Sequence, residues 1–224
     1  MKAMDVMVRN VLTVNPDTSV SEVARLLVEN DISAVPVVDD HGQMVGMISE
    51  ADLMRREEIG TEKRRPWWLE AMTPATTLAQ EFAKSHGKRV AELMSRQVVS
   101  ASEDAPLIEI AALLEKHRIK RVPITKDDKL VGIVSRSNII QALASSKGEA
   151  DSERHSDRTI RSEVLARLAE QRWTDFGSRN IIVAGGVVHL WGLVGSAEER
   201  KALTSLAEDV PGVIAVVDEM IAAY

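Results

Sequence analysis

Two Ser-x-x-Asp/Asn tetrads, Ser49 to Asp52 and Ser135 to Asn138, have the residue types and spacing for ligand chemistry in this 224-residue chain. A carboxylate at Asp52 offers two acceptor oxygens for charge-assisted hydrogen bonds. The Asn138 amide offers one acceptor oxygen and two donors, a poorer match for the same task. Arg121 adds a guanidinium, whose planar fork suits phosphate, next to Lys116, His117, Arg118 and Lys120. The bland reading of each is equally physical: Asp and Asn at the start of a helix serve as caps, and a basic run at a helix end is a solvated face. Catalysis has no comparable support. The five histidines (His41, His86, His117, His155 and His189) lack ligand spacing, no phosphate loop precedes Gly87-Lys88, and no nucleophile elbow occurs. With no cysteine there is no disulfide, thiolate zinc site or cysteine nucleophile.

The elements that position these residues are written twice. Met7 to Met54 and Met94 to Ile140 share an apolar periodicity, then I-S-A-V-P-V against I-K-R-V-P-I, then G-M-I-S-E-A-D against G-I-V-S-R-S-N. Val35-Pro36 and Val122-Pro123 lie 87 positions apart and Gly46 and Gly132 lie 86 apart, so the single gap falls in the polar turn between them. In the first copy Ser19 and Glu22 form a capping box, with Val20, Val23, Ala24 and Leu27 on one helical face. The second copy keeps Leu107, Ile110, Ala111 and Leu114, and Pro106 suits its first helical turn. Two strands follow, Ala34 to Asp39 and Met44 to Ser49, and a second helix opens at Ala51 or Ser137. The predicted unit is β-α-β-β-α. Two copies are too few for a solenoid, where at least about three repeats are usual, and fit a pseudo-twofold pair.

These residues carry a family resemblance. The I-x-x-V-P stretch, the G-h-h-S-x-x-D/N ending and their tandem repetition resemble a pair of CBS domains, the module named after cystathionine β-synthase. The resemblance implies a sensor that binds an adenosine-containing ligand (AMP, ADP, ATP, S-adenosylmethionine or NAD) in the cleft between the copies. It places Asp52, and in the second copy Asn138, at the ribose hydroxyls, and Ser49 and Ser135 at ribose or phosphate. Ile32, Ala34 and Pro36, with Ile119, Arg121 and Pro123, then flank the base, and Thr13 and Ser100 close the pocket. Lys120 and Arg121 lie on the phosphate side. Charge separates the copies: residues 1–54 carry a net −6 and residues 92–143 a net +1. A homodimer through the pairs is the association the resemblance implies.

The expected boundaries are 1–58 and 88–143 for the repeats, 59–87 for an inserted basic connection, 144–156 for a polar linker and 157–224 for a last domain. In the insertion, Trp67-Trp68 with Met72, Leu78 and Phe82 forms an apolar patch suited to covering a sheet edge or a partner subunit. In the last domain a helix over Asp157 to Phe176 turns Ile160, Val164, Leu165 and Leu168 inward. Gly185-Gly186 joins strands Asn180–Ala184 and Val187–Val194, Ser196 and Glu199 form a second capping box, and Val213 to Ala222 is the final strand. This α-β-β-α-β order, with Gly186, Gly192 and Gly212, resembles a BON domain, a small bacterial module associated with phospholipid or envelope attachment and, in some members, with small ligands or ions; contact with a protein or a small ligand is the reading favoured over lipid. A net −3 over residues 157–224 opposes contact with anionic lipid, although Arg158, Arg161 and Arg172 share one predicted helix face.

The fold class read from the chain is therefore α+β, two CBS-like repeats followed by a small BON-like domain. A composition of 45% hydrophobic and 28% charged residues is ordinary for a globular protein, and the net charge of −6 argues against nucleic acid as a partner. The expectation is a non-enzymatic, cytoplasmic, signal-transducing protein, peripheral at the membrane if the last domain touches lipid, with no resident cofactor or metal. The competing reading is an adaptor whose repeats only dimerise. The polar 144–158 stretch predicts that the last domain is loosely tethered and melts on its own.

Overall fold

The chain opens with a single helical turn, α1 (Ala3–Val6), that does not pack with the elements next to it in sequence. The computed structural model describes residues 1–54, 60–61, 72–78, 86–145, 151–176 and 179–223. They divide into two spatial units, Leu12–Val98 on one hand and Met1–Val11 with Val99–Tyr224 on the other. Trp67, Trp68 and Phe82 lie outside the described residues, and with them the expected apolar cover.

In Leu12–Val98 the capping box forms as the sequence requires: Glu22 N–H donates to Ser19 Oγ at 3.2 Å, and Ser19 N–H donates to Glu22 Oε2 at 2.9 Å. The helix it opens, α2 (Val20–Glu29), buries Val23 and Leu27, and Asp31 then reverses the chain at φ +50°. β1 (Ala34–Val38) and β2 (Met44–Ser49) pair antiparallel, and one helical turn, α3 (Glu50–Leu53), follows. The predicted first strand is reduced to a single parallel bridge between Val14 and Val37. The core of this unit is completed by Val90, Leu93 and Met94, from α4 (Val90–Leu93) and the residue after it.

The second copy repeats the plan: β3 (Ala101–Ser102) is parallel to β4 (Arg121–Lys126), β4 is antiparallel to β5 (Lys129–Ser135), and α5 (Leu107–Lys116) and α6 (Arg136–Ser145) flank them. Pro106 stands outside the helix as its cap, with ψ 146°, rather than in the first turn. The one-residue gap between copies has a physical cause. Asp127 and Asp128, at φ +49° and +61°, make a two-residue turn, whereas the first copy runs Asp39 to Gln43 through Gly42 at φ +76°. The core of this copy is completed by Ala3, Val6 and Met7.

The leading segments are thus exchanged. Lys2 bridges Pro106 as Arg89 bridges Ser19, and Val8 bridges Ile133 as Ser95 bridges Met47. A Cβ on Gly132 would stand 2.5 Å from Met7 Sδ, and one on Gly46 would stand 2.6 Å from Met94 Sδ. Each glycine therefore makes room for the methionine that the other copy's sequence begins with.

In the last domain α7 begins at Asp151 and ends at Ala169 (Asp151–Ala169), so part of the predicted linker is helical and Phe176 lies beyond the helix. β6 (Asn180–Ala184), β7 (Val187–Val194), α8 (Ala197–Glu208) and β8 (Ala215–Ala222) complete the α-β-β-α-β order. Gly185 and Gly186, both at positive φ, form the predicted hairpin, and both of their N–H groups donate to the Asp157 carboxylate at 3.0 and 2.8 Å. The second capping box is half made: Ser196 accepts from Glu199 N–H, but Glu199 accepts instead from Gly195 N–H and Thr174. Ile160, Val164, Leu168, Phe176, Ile181, Val183, Leu190 and Leu203 fill the core on one face of the sheet.

The loose tether is overturned. Every residue of β6 is buried, because Ile181 and Val183 face the domain's own core while Ile182 enters the core of the second repeat. Arg161, 5% exposed, donates to the carbonyls of Ile181 at 2.6 Å, Met4 at 3.1 Å and Met7 at 2.7 Å. Arg158 makes a two-pronged ion pair with Asp5, at 2.5 and 3.0 Å. Two of the three arginines expected on one face for lipid are therefore spent inside the protein, and Arg172 alone of them is exposed.

Candidate functional site

Each repeat gathers its candidate residues at one end of its small sheet. In the first, Ala34 stands opposite Ser49 across the β1–β2 ladder, and Glu50 N–H donates to Ser33 O, which ties the start of α3 to the start of β1. Thr13 precedes Val14, whose N–H donates to Pro36 O, so Thr13 lies beside Pro36. The second repeat matches residue for residue. Arg121 stands opposite Ser135, Arg136 N–H donates to Lys120 O, and Ser100 precedes Ala101, the register partner of Ile124 next to Pro123. Ile32 and Ile119 pack at the core margins, Pro36 and Pro123 are buried, and Thr13, Ser100 and Lys120 are exposed. The local fold therefore brings together Thr13, Ala34, Pro36, Ser49 and Asp52 in one unit, and Ser100, Arg121, Pro123, Ser135 and Asn138 in the other.

The two tetrads are built alike and finished differently. Asp52 Oδ2 accepts from Ser49 N–H at 2.9 Å and from the Ser49 hydroxyl at 2.7 Å. The cap reading is thus correct for this oxygen, and it also holds the carboxylate still. Asp52 is partly exposed, and its Oδ1 has no hydrogen-bond partner among the described residues. In the second repeat Asn138 Oδ1 accepts from Ser135 N–H at 2.7 Å and from its hydroxyl at 2.9 Å, while Asn138 Nδ2 donates to Gln141 Oε1 at 3.2 Å. Asn138 is 6% exposed, and all of its polar atoms are engaged inside the protein. Arg121 is half-buried and has partners of its own. Lys116, His117 and Arg118 are exposed, as a solvated helix end would be.

Gln141 and Asn180 were not foreseen as part of any site. Asn180 Nδ2 donates to Gln141 Oε1 at 2.6 Å, which joins the second tetrad to the C-terminal sheet. The unbroken apolar run after Asn180, rather than an alternation, was the available signal that β6 is covered on both faces. For Arg161 the signal was an arginine set between Ile160 and Val164 on an apolar helix face. Its guanidinium is pushed down to about 10 by burial first and by the neighbouring Arg9 second, with Asp5 opposing. It remains a cation at neutral pH, and three carbonyl bonds hold it. At Asp5, burial would raise the carboxyl, but the Arg158 hydrogen bonds, the Lys2 N–H and the Arg158 charge together hold it below its ordinary value.

Among the described residues there is no cluster that could hold a metal ion, and no helix is long and apolar enough to cross a membrane. CBS domains match residues 3–58 and 90–145, and a BON domain matches residues 156–223. The chain is 30% identical over 149 residues to the chloroplastic CBS domain-containing protein CBSX2 of Arabidopsis thaliana, a match covering 64% of this chain and 63% of that one. It is 31% identical over 144 residues to CBSX1 of the same plant, covering 62% and 61%. The chain thus spans about three fifths of the length of these relatives. The crystal structure of CBSX2 in complex with AMP is similar over 64% of this chain and 96% of that one, at 29% identity and a TM-score of 0.56. The exchanged repeats, their paired tetrads and these matches agree, and the protein belongs to the CBS domain family, with a BON domain following the CBS pair.

Proposed function

We propose that the protein is a non-enzymatic sensor of an adenosine-containing ligand, taken up by the CBS pair, with the BON domain attaching it to a partner, an envelope component or a small ligand. The observation that carries this reading is Asp52: a carboxylate fixed through one oxygen by Ser49 and keeping the other oxygen without a partner among the described residues. That geometry suits hydrogen bonds from ribose hydroxyls. The AMP complex of CBSX2, a similar protein, supports the ligand class. AMP, ADP, ATP, S-adenosylmethionine and NAD share the adenosine moiety that Asp52 reads, and Thr13, Ile32, Ala34, Pro36 and Ser49 complete the first position. The second position comprises Ser100, Ile119, Lys120, Arg121, Pro123, Ser135 and Asn138, with Arg121 on phosphate.

A second copy of the chain is the proposed association partner, supported by Val28, Ile108 and Ile140, apolar helix residues at 82%, 81% and 63% exposure. The cytoplasm is the proposed location. The adaptor reading is favoured by one observation only, that both tetrads cap helices.

A thermal-shift panel of the five ligands tests the proposal. At about 100 times its dissociation constant, one of them should add roughly 2.7 kcal/mol of stability, and Asp52→Ala should remove most of it. Arg121→Ala should weaken AMP more than adenosine, since only AMP carries the phosphate. A panel with no shift at millimolar ligand leaves the adaptor standing.

A further inference from the structure

The hydrogen bonds between the second tetrad and the C-terminal sheet have a direction. The Ser135 N–H can only donate, so the Asn138 atom facing it at 2.7 Å is the carbonyl oxygen, and the amide nitrogen must point to Gln141. The atom of Gln141 that receives it is then Oε1, and the atom of Asn180 that meets the same oxygen at 2.6 Å must be its nitrogen. Asn180 is 4% exposed, and its own carbonyl oxygen, turned away by this order, is buried with no hydrogen-bond partner among the described residues. One backbone N–H thus orients three side-chain amides in series, across the contact between α6 and β6. The contact itself is firm, because Ile182 lies in the second repeat's core and Arg161 links β6 to the Met4 and Met7 carbonyls.

We infer that docking of the BON sheet closes the second repeat's ribose position, so that this position and the docked sheet compete for the Asn138 amide; the inference rests on the sensor reading above. A ribose hydroxyl that donates to Asn138 must displace one of the two bonds its oxygen already accepts from Ser135. Turning the amide to face it would set the Asn138 oxygen against Gln141 Oε1. Turning Gln141 as well would set its NH2 against that of Asn180. Relief requires all three amides to turn and leaves the Ser135 N–H facing a donor. An unmade hydrogen bond of this kind is costly where water is excluded. By reciprocity, whatever the docked sheet costs ligand at the second position, ligand there costs docking. The first repeat carries no such tie through Asp52 among the described residues, so the two positions are unequal.

Calorimetric titration of the full chain with AMP tests this. The wild type is expected to bind one AMP per chain, and Asp52→Ala to bind none. Gln141→Ala, which removes the middle of the series, should bind two, with the second position tightened by roughly tenfold or more, the change one or two hydrogen bonds command. Asn180→Ser, whose shorter side chain draws the β6 donor back from Gln141 Oε1, should move in the same direction, and melting curves of both variants report that they fold. The double variant Asp52→Ala with Gln141→Ala should keep one site. Two AMP per chain in the wild type, or one in both Gln141→Ala and Asn180→Ser, overturns the inference while leaving the sensor reading intact. No AMP bound by any of these proteins overturns the inference and leaves the sensor reading to the other four ligands of the panel.

Discussion

In the first repeat the Asp52 carboxylate is pinned by Ser49 through one oxygen and its other oxygen has no partner among the described residues, whereas in the second the Asn138 amide is 6% exposed and bonded at both ends. The two share backbone plan, register and even the place of their strand irregularity, between Val37 and Val38 and between Ile124 and Thr125. What separates them is the neighbour each was given. The second repeat lies in one spatial unit with the BON domain, and the docked β6 engages polar and apolar groups of α6. A duplicated fold therefore supplies two similar frames, and the added domain makes them unequal.

The sharpest way to break this difference is to undock the sheet. Arg161→Met keeps much of the stem but strands three carbonyls, two of them at buried hydrogen bonds, and it should destabilise the unit that holds the second repeat by about 3 kcal/mol or more, read by urea unfolding. A loss under about 1 kcal/mol would mean that the cost of burying the cation cancels its bonds, as happens with buried ions elsewhere.

The exchange of leading segments is tested next. Gly132→Ala drives a methyl into Met7 and should cost about 1–3 kcal/mol by overpacking. Adding Met7→Ala should recover part of that loss, while leaving Gly46→Ala, whose clash is with Met94, unrepaired. Rescue in the opposite pairing would show that each lead packs in its own repeat.

The smallest effect is in acid. The folded Asp5 carboxyl titrates below its ordinary value of 3.8, so the folded state releases this proton more readily than the unfolded chain. Its stabilisation is therefore complete above the unfolded value and is lost as pH falls through the lower, folded one. Between about pH 5 and pH 2 the wild type should lose more stability than Asp5→Asn, measured by denaturation at each pH. Parallel curves would mean that the Arg158 pair contributes nothing to docking.

Much of this was legible in residue order. The Ser19–Glu22 box, the apolar spacing of Val23 with Leu27 and of Ile110 with Leu114, and the Gly185-Gly186 hairpin are local features, decided within a few residues by backbone sterics and by side-chain periodicity. The same holds for the tetrads: Ser49 with Asp52 and Ser135 with Asn138 meet because they are three residues apart at a strand-to-helix junction.

Non-local pairing was not legible. Met7 and Met94 are equivalent by sequence, so no pattern states which of Gly132 and Gly46 each will fill, and only the packed structure chooses. Arg158 and Arg161 read as a solvated or lipid-facing stripe because arginine is usually exposed; their burial depends on carbonyls and a carboxylate about 150 residues away that only docking supplies. The polar stretch before α7 truthfully marked a weak local preference, yet a linker's composition says nothing about the face beyond it. The amino-acid sequence by itself determined the repeats, their helices and strands and the chemistry each tetrad can offer; the tertiary structure decided that the second tetrad is engaged by the docked sheet, because that depends on which surfaces bury one another.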